Sequence, residues 1–322
     1  MSRSLPVQLQ KSTAPMLRTA NPIRPKSIED LLNSELLAKL DPLDLTSKRV
    51  FFGKLKGERR SKKRGQSVEF ADHRPYVSGD DTRHIDWNIF ARLDNLFLKL
   101  FLEEEDLSLS IVIDASESSD CGDPSKFLFM QKAAMAIGYV GLVNLNRVTA
   151  TALGPAEGGV MSRVTDLRGK RRTLDLARWI CSIEPGGNFS FKEAAERVAR
   201  SRRGKGVMLV FSDFFFKEGF ESGLRLLVGG GYDVFLVQVL SPQEVDPPMT
   251  GDLRLKDVED GDLAEVTISA PLMKRYKANL AAYCQSLNQF CLRRDMQMLT
   301  VKSDTPIDVL LLDYLRKRGV VK

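Results

Sequence analysis

From Leu107 to Ser118 the chain reads Leu-Ser-Leu-Ser-Ile-Val-Ile-Asp-Ala-Ser-Glu-Ser, and few arrangements accept such a stretch. Leu107, Leu109, Ile111 and Ile113 alternate with Ser108, Ser110 and Val112, the period-two pattern of a strand. Val112 puts apolar surface on the second face as well, so the strand is expected inside a sheet covered on both sides. It then delivers Asp114, Ser116 and Ser118, three oxygen-bearing side chains that an extended segment sends to one side. A carboxylate and two hydroxyls at a strand exit suit a hard cation such as Mg²⁺ (Mn²⁺ or Ca²⁺ by the same chemistry), which takes oxygen ligands and keeps part of its water shell. These residue types also make caps and turns. Asp123-Pro124 reads as a helix N-cap with proline at the first helical position, and Ser116–Asp120 as turn chemistry.

After this strand the pattern alternates. Helical spacing covers Ser125–Leu145, where Ala133, Ala134, Ala136 and Gly138 permit close packing on a sheet. Strands are predicted at Arg147–Leu153 and, as an edge, Val160–Leu167, followed by helices over Lys170–Ile183 and Phe191–Arg203. Val207–Phe211 reads as a buried strand that ends on Ser212-Asp213. A helix over Glu221–Val228 and a strand over Asp233–Leu240 come next, then an insertion at about 241–271 punctuated by proline and Asp-Gly steps. Helix Leu272–Arg294, strand Gln297–Val301 and helix Pro306–Arg318 close the chain. Such alternation predicts an α/β fold, a doubly wound, mostly parallel sheet of Rossmann-like build, with a small N-terminal α+β extension. These sheets bind ligands beyond the carboxyl ends of their strands, where strand order reverses. Asp114 and Asp213 both fall at such ends and are expected to meet there.

Upstream, residues 1–26 are polar, lack the apolar core of a signal peptide and read as a disordered tail. Residues 27–105 form a separate N-terminal segment ahead of a domain over 106–322. Ser27–Leu40 carries leucines at helical spacing behind a Ser27 cap. Lys48–Arg64 then holds nine basic residues and one acidic residue, either a solvated loop or a contact surface for nucleic acid, anionic lipid or an acidic partner. No aromatic platform interleaves that run, which argues against base recognition. Gly65–Arg92 is dense in charge: Arg74, Arg83 and Arg92 face Glu69, Asp80, Asp81 and Asp86, an ion-pair network expected to brace a small subdomain and offer a partner surface, with Trp87 as its apolar anchor. The four cysteines have no Cys-x-x-Cys pairing and there are two histidines. That disfavours a zinc site, a disulfide framework and Ser-His or Cys-His nucleophile schemes, and fits a reducing cytoplasm.

The stretch Gly65–Arg92 (Gly-x-x-x-Glu-Phe-x-x-x-Arg-x-Tyr-x-x-Gly-Asp-Asp-x-Arg-x-Ile-Asp-Trp-x-x-x-Ala-Arg) resembles the signature of the bacterial family called domain of unknown function 58. The resemblance implies a von Willebrand factor A-like domain with a metal-ion-dependent adhesion site. Asp114, Ser116 and Ser118 match the family's Asp-x-Ser-x-Ser, Asp213 in Phe-Ser-Asp-Phe its later aspartate, and residues 283–318 its C-terminal end. Such domains usually place a threonine after Gly-Gly; here Gly186-Gly187 is followed by Asn188, and Ser119 stands where an apolar residue is common. The resemblance also implies partnership with a MoxR-type AAA+ ATPase.

The resulting expectation is a cytoplasmic, non-enzymatic, Mg²⁺-dependent protein-binding module. Asp114, Ser116 and Ser118 hold the cation, Asp213 acts directly or through water, Asn188 completes the shell, and a partner supplies a carboxylate. The alternatives are a metal-dependent phosphohydrolase or nuclease using the same aspartates, and a nucleic-acid or membrane-surface binder using the basic run.

Overall fold

The computed structural model describes residues 9–10, 24–46, 69–102, 107–201, 204–228, 231–248, 251–256 and 263–322. Most of the expected tail and the whole basic run Lys48–Arg64 lie outside the described residues. The chain forms two compact units, Met1–Arg49 with Leu107–Lys322, and Val50–Asp106.

The segment expected over 27–105 is divided, its part before residue 50 belonging to the larger unit and the rest to the smaller. Strand β1 (Leu9–Gln10) precedes two helices, α1 (Ile28–Leu31) and α2 (Ser34–Leu40). Where one helix was expected over Ser27–Leu40, the chain breaks at Leu32 and Asn33. Leu32 is extended and buried, and the Asn33 side chain caps the second helix by accepting from Leu36 N at 2.8 Å. A short amide that competes for backbone N–H groups favours a new start over continuation.

The smaller unit pairs β2 (Glu69–Pro75) antiparallel with β3 (Phe97–Leu102), joined through α3 (Trp87–Leu93). Asp86 organises it. Its Oδ1 accepts from Asn88 N and Ile89 N at 2.9 and 3.3 Å, and its Oδ2 meets His73 Nε2 at 2.9 Å and Lys99 Nζ at 3.4 Å. The His73 contact foremost, opposed by burial and helped by the two N–H groups and Lys99, pulls the Asp86 carboxyl down to about 2. Arg74 pairs with Asp80 and Arg83 with Asp81, each at 2.6 Å, while Arg92 is exposed on α3. Trp87 is not the anchor its size suggested: it is 62% exposed and meets Phe90 edge-on at 6.0 Å. Asp86 is the residue turned inward as the cap, and the next position of a helix points about 100° away from it.

In the larger unit β4 (Ser108–Asp114) is buried along its whole length. Helix α4 (Lys126–Val143) returns the chain to β5 (Arg147–Leu153), and β6 (Val160–Leu167) follows antiparallel at the edge. The α4 cap is Ser125, which accepts from Leu128 N at 3.3 Å, rather than Asp123 with Pro124 at the first turn. Helices α5 (Thr173–Cys181) and α6 (Phe191–Arg200), strand β7 (Gly206–Ser212), helix α7 (Glu221–Leu227) and strand β8 (Tyr232–Leu240) continue the alternation. The insertion holds α8 (Pro242–Val245) and the antiparallel strands β9 (Gly251–Lys256) and β10 (Leu263–Ile268), with β1 on the outer edge of β9. Helix α9 (Ala270–Leu292) and β11 (Gln297–Lys302) lead to a π-helical segment, Val309–Leu315.

The central sheet has six strands in the order β11-β8-β7-β4-β5-β6, parallel except for β6. Both faces are covered, as Val112 foretold. Val112, Met208, Val210 and Leu236 join a cluster with Phe191, Leu224 and Leu287 from the helices. On the other face, Ile111 and Leu109 approach Gly138 and Gly141 of α4 so closely that a Cβ at Gly141 would sit 2.7 Å from Leu109 Cδ2. Helix α4 is long and apolar enough to span a bilayer, yet 83% of it is buried inside this fold. Behind it, Tyr139 donates to Asp41 at 2.5 Å and Asn144 to the Leu43 carbonyl at 2.6 Å, which ties the α2 region to the larger core.

Candidate functional site at the strand crossover

The chain leaves β4 for β5 on one side, and returns later to place β7 on the other. The crevice at that reversal is where an open parallel sheet receives ligands. Residue 114 ends β4 and residue 212 ends β7, with Ile113 opposite Phe211 in the ladder. The two acidic residues predicted to meet are therefore delivered side by side.

Asp114 is 1% exposed. Its Oδ1 accepts from Ser116 N at 2.9 Å and its Oδ2 from Ser212 Oγ at 2.6 Å. Burial first, then the charge of Asp213, pushes its carboxyl well above the ordinary range. The chain stays extended as far as Ser116 and then tightens into a 3₁₀ turn at Glu117–Ser119. The turn brings Ser116 Oγ and Ser118 Oγ within 3.0 Å of each other, a convergence achieved by the turn and not by a continued strand. Ser119, fully buried, satisfies its hydroxyl on the Ser116 carbonyl at 2.8 Å.

The loop carrying Asn188 is sewn to this turn: Gly186 N donates to the Ala115 carbonyl at 3.0 Å and Glu117 N to the Gly187 carbonyl at 3.2 Å. Gly187 takes a left-handed φ of +53°, with Pro155 2.8 Å from where a Cβ would stand. Asn188 and Ser116 share the lining of a cavity of about 220 Å³ with Phe189, Ser190, Phe216, Lys217 and Glu218. Glu218 is engaged by Ser190 Oγ and Lys192 N, and Phe216 stacks on buried Phe191 at 4.2 Å, so this wall is held from behind.

Asp213 has a partner that sequence reasoning missed. Its Oδ2 accepts from Lys126 Nζ at 2.7 Å, and the same ammonium reaches Glu244 Oε1 at 2.7 Å. The remaining oxygen, Oδ1, accepts from Phe215 N at 3.0 Å. Lys126, Asp213 and Glu244 are 1%, 3% and 9% exposed. Burial alone would discharge the lysine, but the charges of Asp213 and Glu244 outweigh it and raise its pKa. The one available signal was a lysine at the start of an apolar helix. Phe214, between Asp213 and Phe215, is buried at a positive φ of 60°, an uncommon conformation for a bulky residue and one found at sites whose surroundings enforce it.

Residues 72–285 match the family described as Protein of unknown function DUF58. This chain belongs to that family. Other sequences similar to this DUF58 protein are Uncharacterized protein Rv1480 of Mycobacterium tuberculosis and Uncharacterized protein Mb1516 of Mycobacterium bovis. Each is 27% identical over 299 residues, covering 91% of this chain and 93% of the relative. Among solved structures, a conserved hypothetical protein BatB from Bacteroides thetaiotaomicron aligns with 57% of this chain and 98% of its own, at 15% identity and a TM-score of 0.34.

No group of three or more His, Cys, Asp and Glu side chains placed for a metal occurs among the described residues of this DUF58 protein. Any cation here relies on Asp114 together with hydroxyls. That donor set is all oxygen and fits a hard ion, not a soft one. The electrostatics fit as well. Three buried carboxylates, Asp114, Asp213 and Glu244, stand against one buried ammonium, Lys126, a formal charge of −2 with all four ionised. The charged network Arg74, Asp80, Asp81, Arg83 and Asp86 belongs to the other compact unit.

Proposed function

We propose that this protein is a non-enzymatic protein-binding module whose larger unit is von Willebrand factor A-like and whose grip depends on Mg²⁺. The observation that carries this reading is the placement of Asp114 and Asp213 at the exits of adjacent parallel strands where strand order reverses, with Ser116 and Ser118 alongside. Asp114 and the two serines hold the ion. Asn188, on the shared cavity, contributes its amide oxygen in place of the usual threonine. Asp213, whose carboxylate is ion-paired with the Lys126 ammonium, acts through water. The ion supplies a fixed positive charge with a position open to a partner's carboxylate, and the neighbouring cavity accommodates the residue that bears it. A hydrolase would want a second metal or a poised general base beside the first. The partner is a MoxR-type AAA+ ATPase, the setting is the cytoplasm, and the Arg74–Asp80 and Arg83–Asp81 pairs brace a second surface on the smaller unit.

Calorimetric titration of Mg²⁺ and Mn²⁺ into the wild type and Asp114→Ala tests the reading, together with pull-down of the ATPase with and without EDTA. Saturable uptake and EDTA-sensitive capture by the wild type alone are expected. Equal capture by both proteins, whether or not EDTA is present, refutes it.

A further inference from the structure

Lys126 pairs with Asp213 of the site and, through the same ammonium, with Glu244. Glu244 is held on every side: its Oε2 accepts from Ser241 N at 2.7 Å, its N–H donates to Ser241 Oγ at 3.1 Å, and its carbonyl accepts the Tyr276 hydroxyl at 2.7 Å. The Asp213 carbonyl is fixed in turn by Gln238 Nε2 at 3.1 Å. A buried ion triad is poor at stabilising a fold, since apolar residues of similar size do as well or better. What it does supply is fixed charge in a low-dielectric interior, where charge acts over several ångströms. The ammonium also holds the Asp213 carboxylate, engaging its Oδ2 at 2.7 Å.

We propose that Lys126 and Glu244 set how tightly the Asp114–Ser118 site holds its cation: the lysine keeps Asp213 out of the inner shell, and the glutamate offsets the repulsion the lysine exerts. The proposal rests on the cation reading above. It makes α8, the first element after β8, an electrostatic control on the site, with α9 attached to it through Tyr276. The signs follow from the charges. Glu244→Gln leaves a formal −1 and weakens binding. Lys126→Met leaves −3 and tightens it. The double variant returns to −2 with Asp213 released from the lysine, so it binds at least as tightly as the wild type.

The test is calorimetric Mg²⁺ titration of the full-length wild type, both single variants and the double variant, with thermal melts in EDTA alongside. Glu244→Gln, which keeps an oxygen to accept from Lys126, is expected to bind about ten-fold more weakly. The double variant is expected to bind at least as tightly as the wild type. An unchanged affinity in Glu244→Gln, or a double variant as weak as Glu244→Gln, overturns the proposal and leaves the triad a packing feature. Should Lys126→Met fail to fold, the Glu244→Gln comparison decides alone. A wild type that takes up no Mg²⁺ removes the cation reading itself, whereas uptake that ignores Glu244 removes only the control.

Discussion

At the residue scale, carboxylates in the two units are tuned in opposite directions by what surrounds them. Asp114 is buried beside another carboxylate and is pushed up; Asp86 is hydrogen-bonded by His73 and lies near Lys99, and is pulled down to about 2. A carboxyl lowered on folding adds stability above its unfolded pKa of about 4 and loses that contribution as pH falls through its folded value. Asp86→Asn is therefore expected to melt below the wild type at neutral pH, and the gap to close between about pH 4 and pH 2. Thermal melts of the full chain across that range check this; a gap independent of pH would mean that the charge of the Asp86 carboxylate is not what stabilises the unit. His73 and Asp86 stand 13 positions apart, and nothing in their spacing announced the pair. The arginine–aspartate pairs nearby are short-range in sequence, and were legible for that reason.

At the element scale, the site depends on β4 and β7 lying in register. Gly206 faces Ser108 at the start of that pairing, and a Cβ there would sit 1.7 Å from the Ser108 carbonyl oxygen. Gly206→Ala is expected to cost about 3 kcal/mol in denaturant unfolding and to weaken cation uptake, because the strands that deliver Asp114 and Asp213 must part. Helix α4 offers a milder case. Removing its cap with Ser125→Ala is expected to cost about 1 kcal/mol without disturbing uptake. Element types and order were readable from periodicity, and the strands over Arg147–Leu153 and Val160–Leu167 fall where it placed them. Ends were less readable, since two caps competed ahead of α4 and an asparagine divided the first expected helix. Trp87 shows the limit of hydrophobicity as a guide: a large apolar side chain does not say whether anything covers it.

At the scale of the whole molecule, residues 24–46 join the unit built on the six-stranded sheet, and residues 50–106 stand as a second unit. A ligand that binds only the folded state raises its stability. If the larger unit is built around a cation, Mg²⁺ at a hundred times its dissociation constant is expected to add about 2.7 kcal/mol. The wild type should then melt higher in Mg²⁺ than in EDTA, and Asp114→Ala should melt alike in both.

Alternation of strands and helices, and the placement of acidic residues at two strand exits, came from the amino-acid sequence by itself. Both are local properties: side-chain period and turn chemistry act over a few residues. The membership of residues 24–46 in the larger unit and the exposure of Trp87 belong to the tertiary structure alone. So does the lysine that joins Asp213 to Glu244 across 87 and 118 positions. Those are matters of which surfaces meet and which charges share a dry interior, and a linear order of residues does not encode them until the sheet has closed.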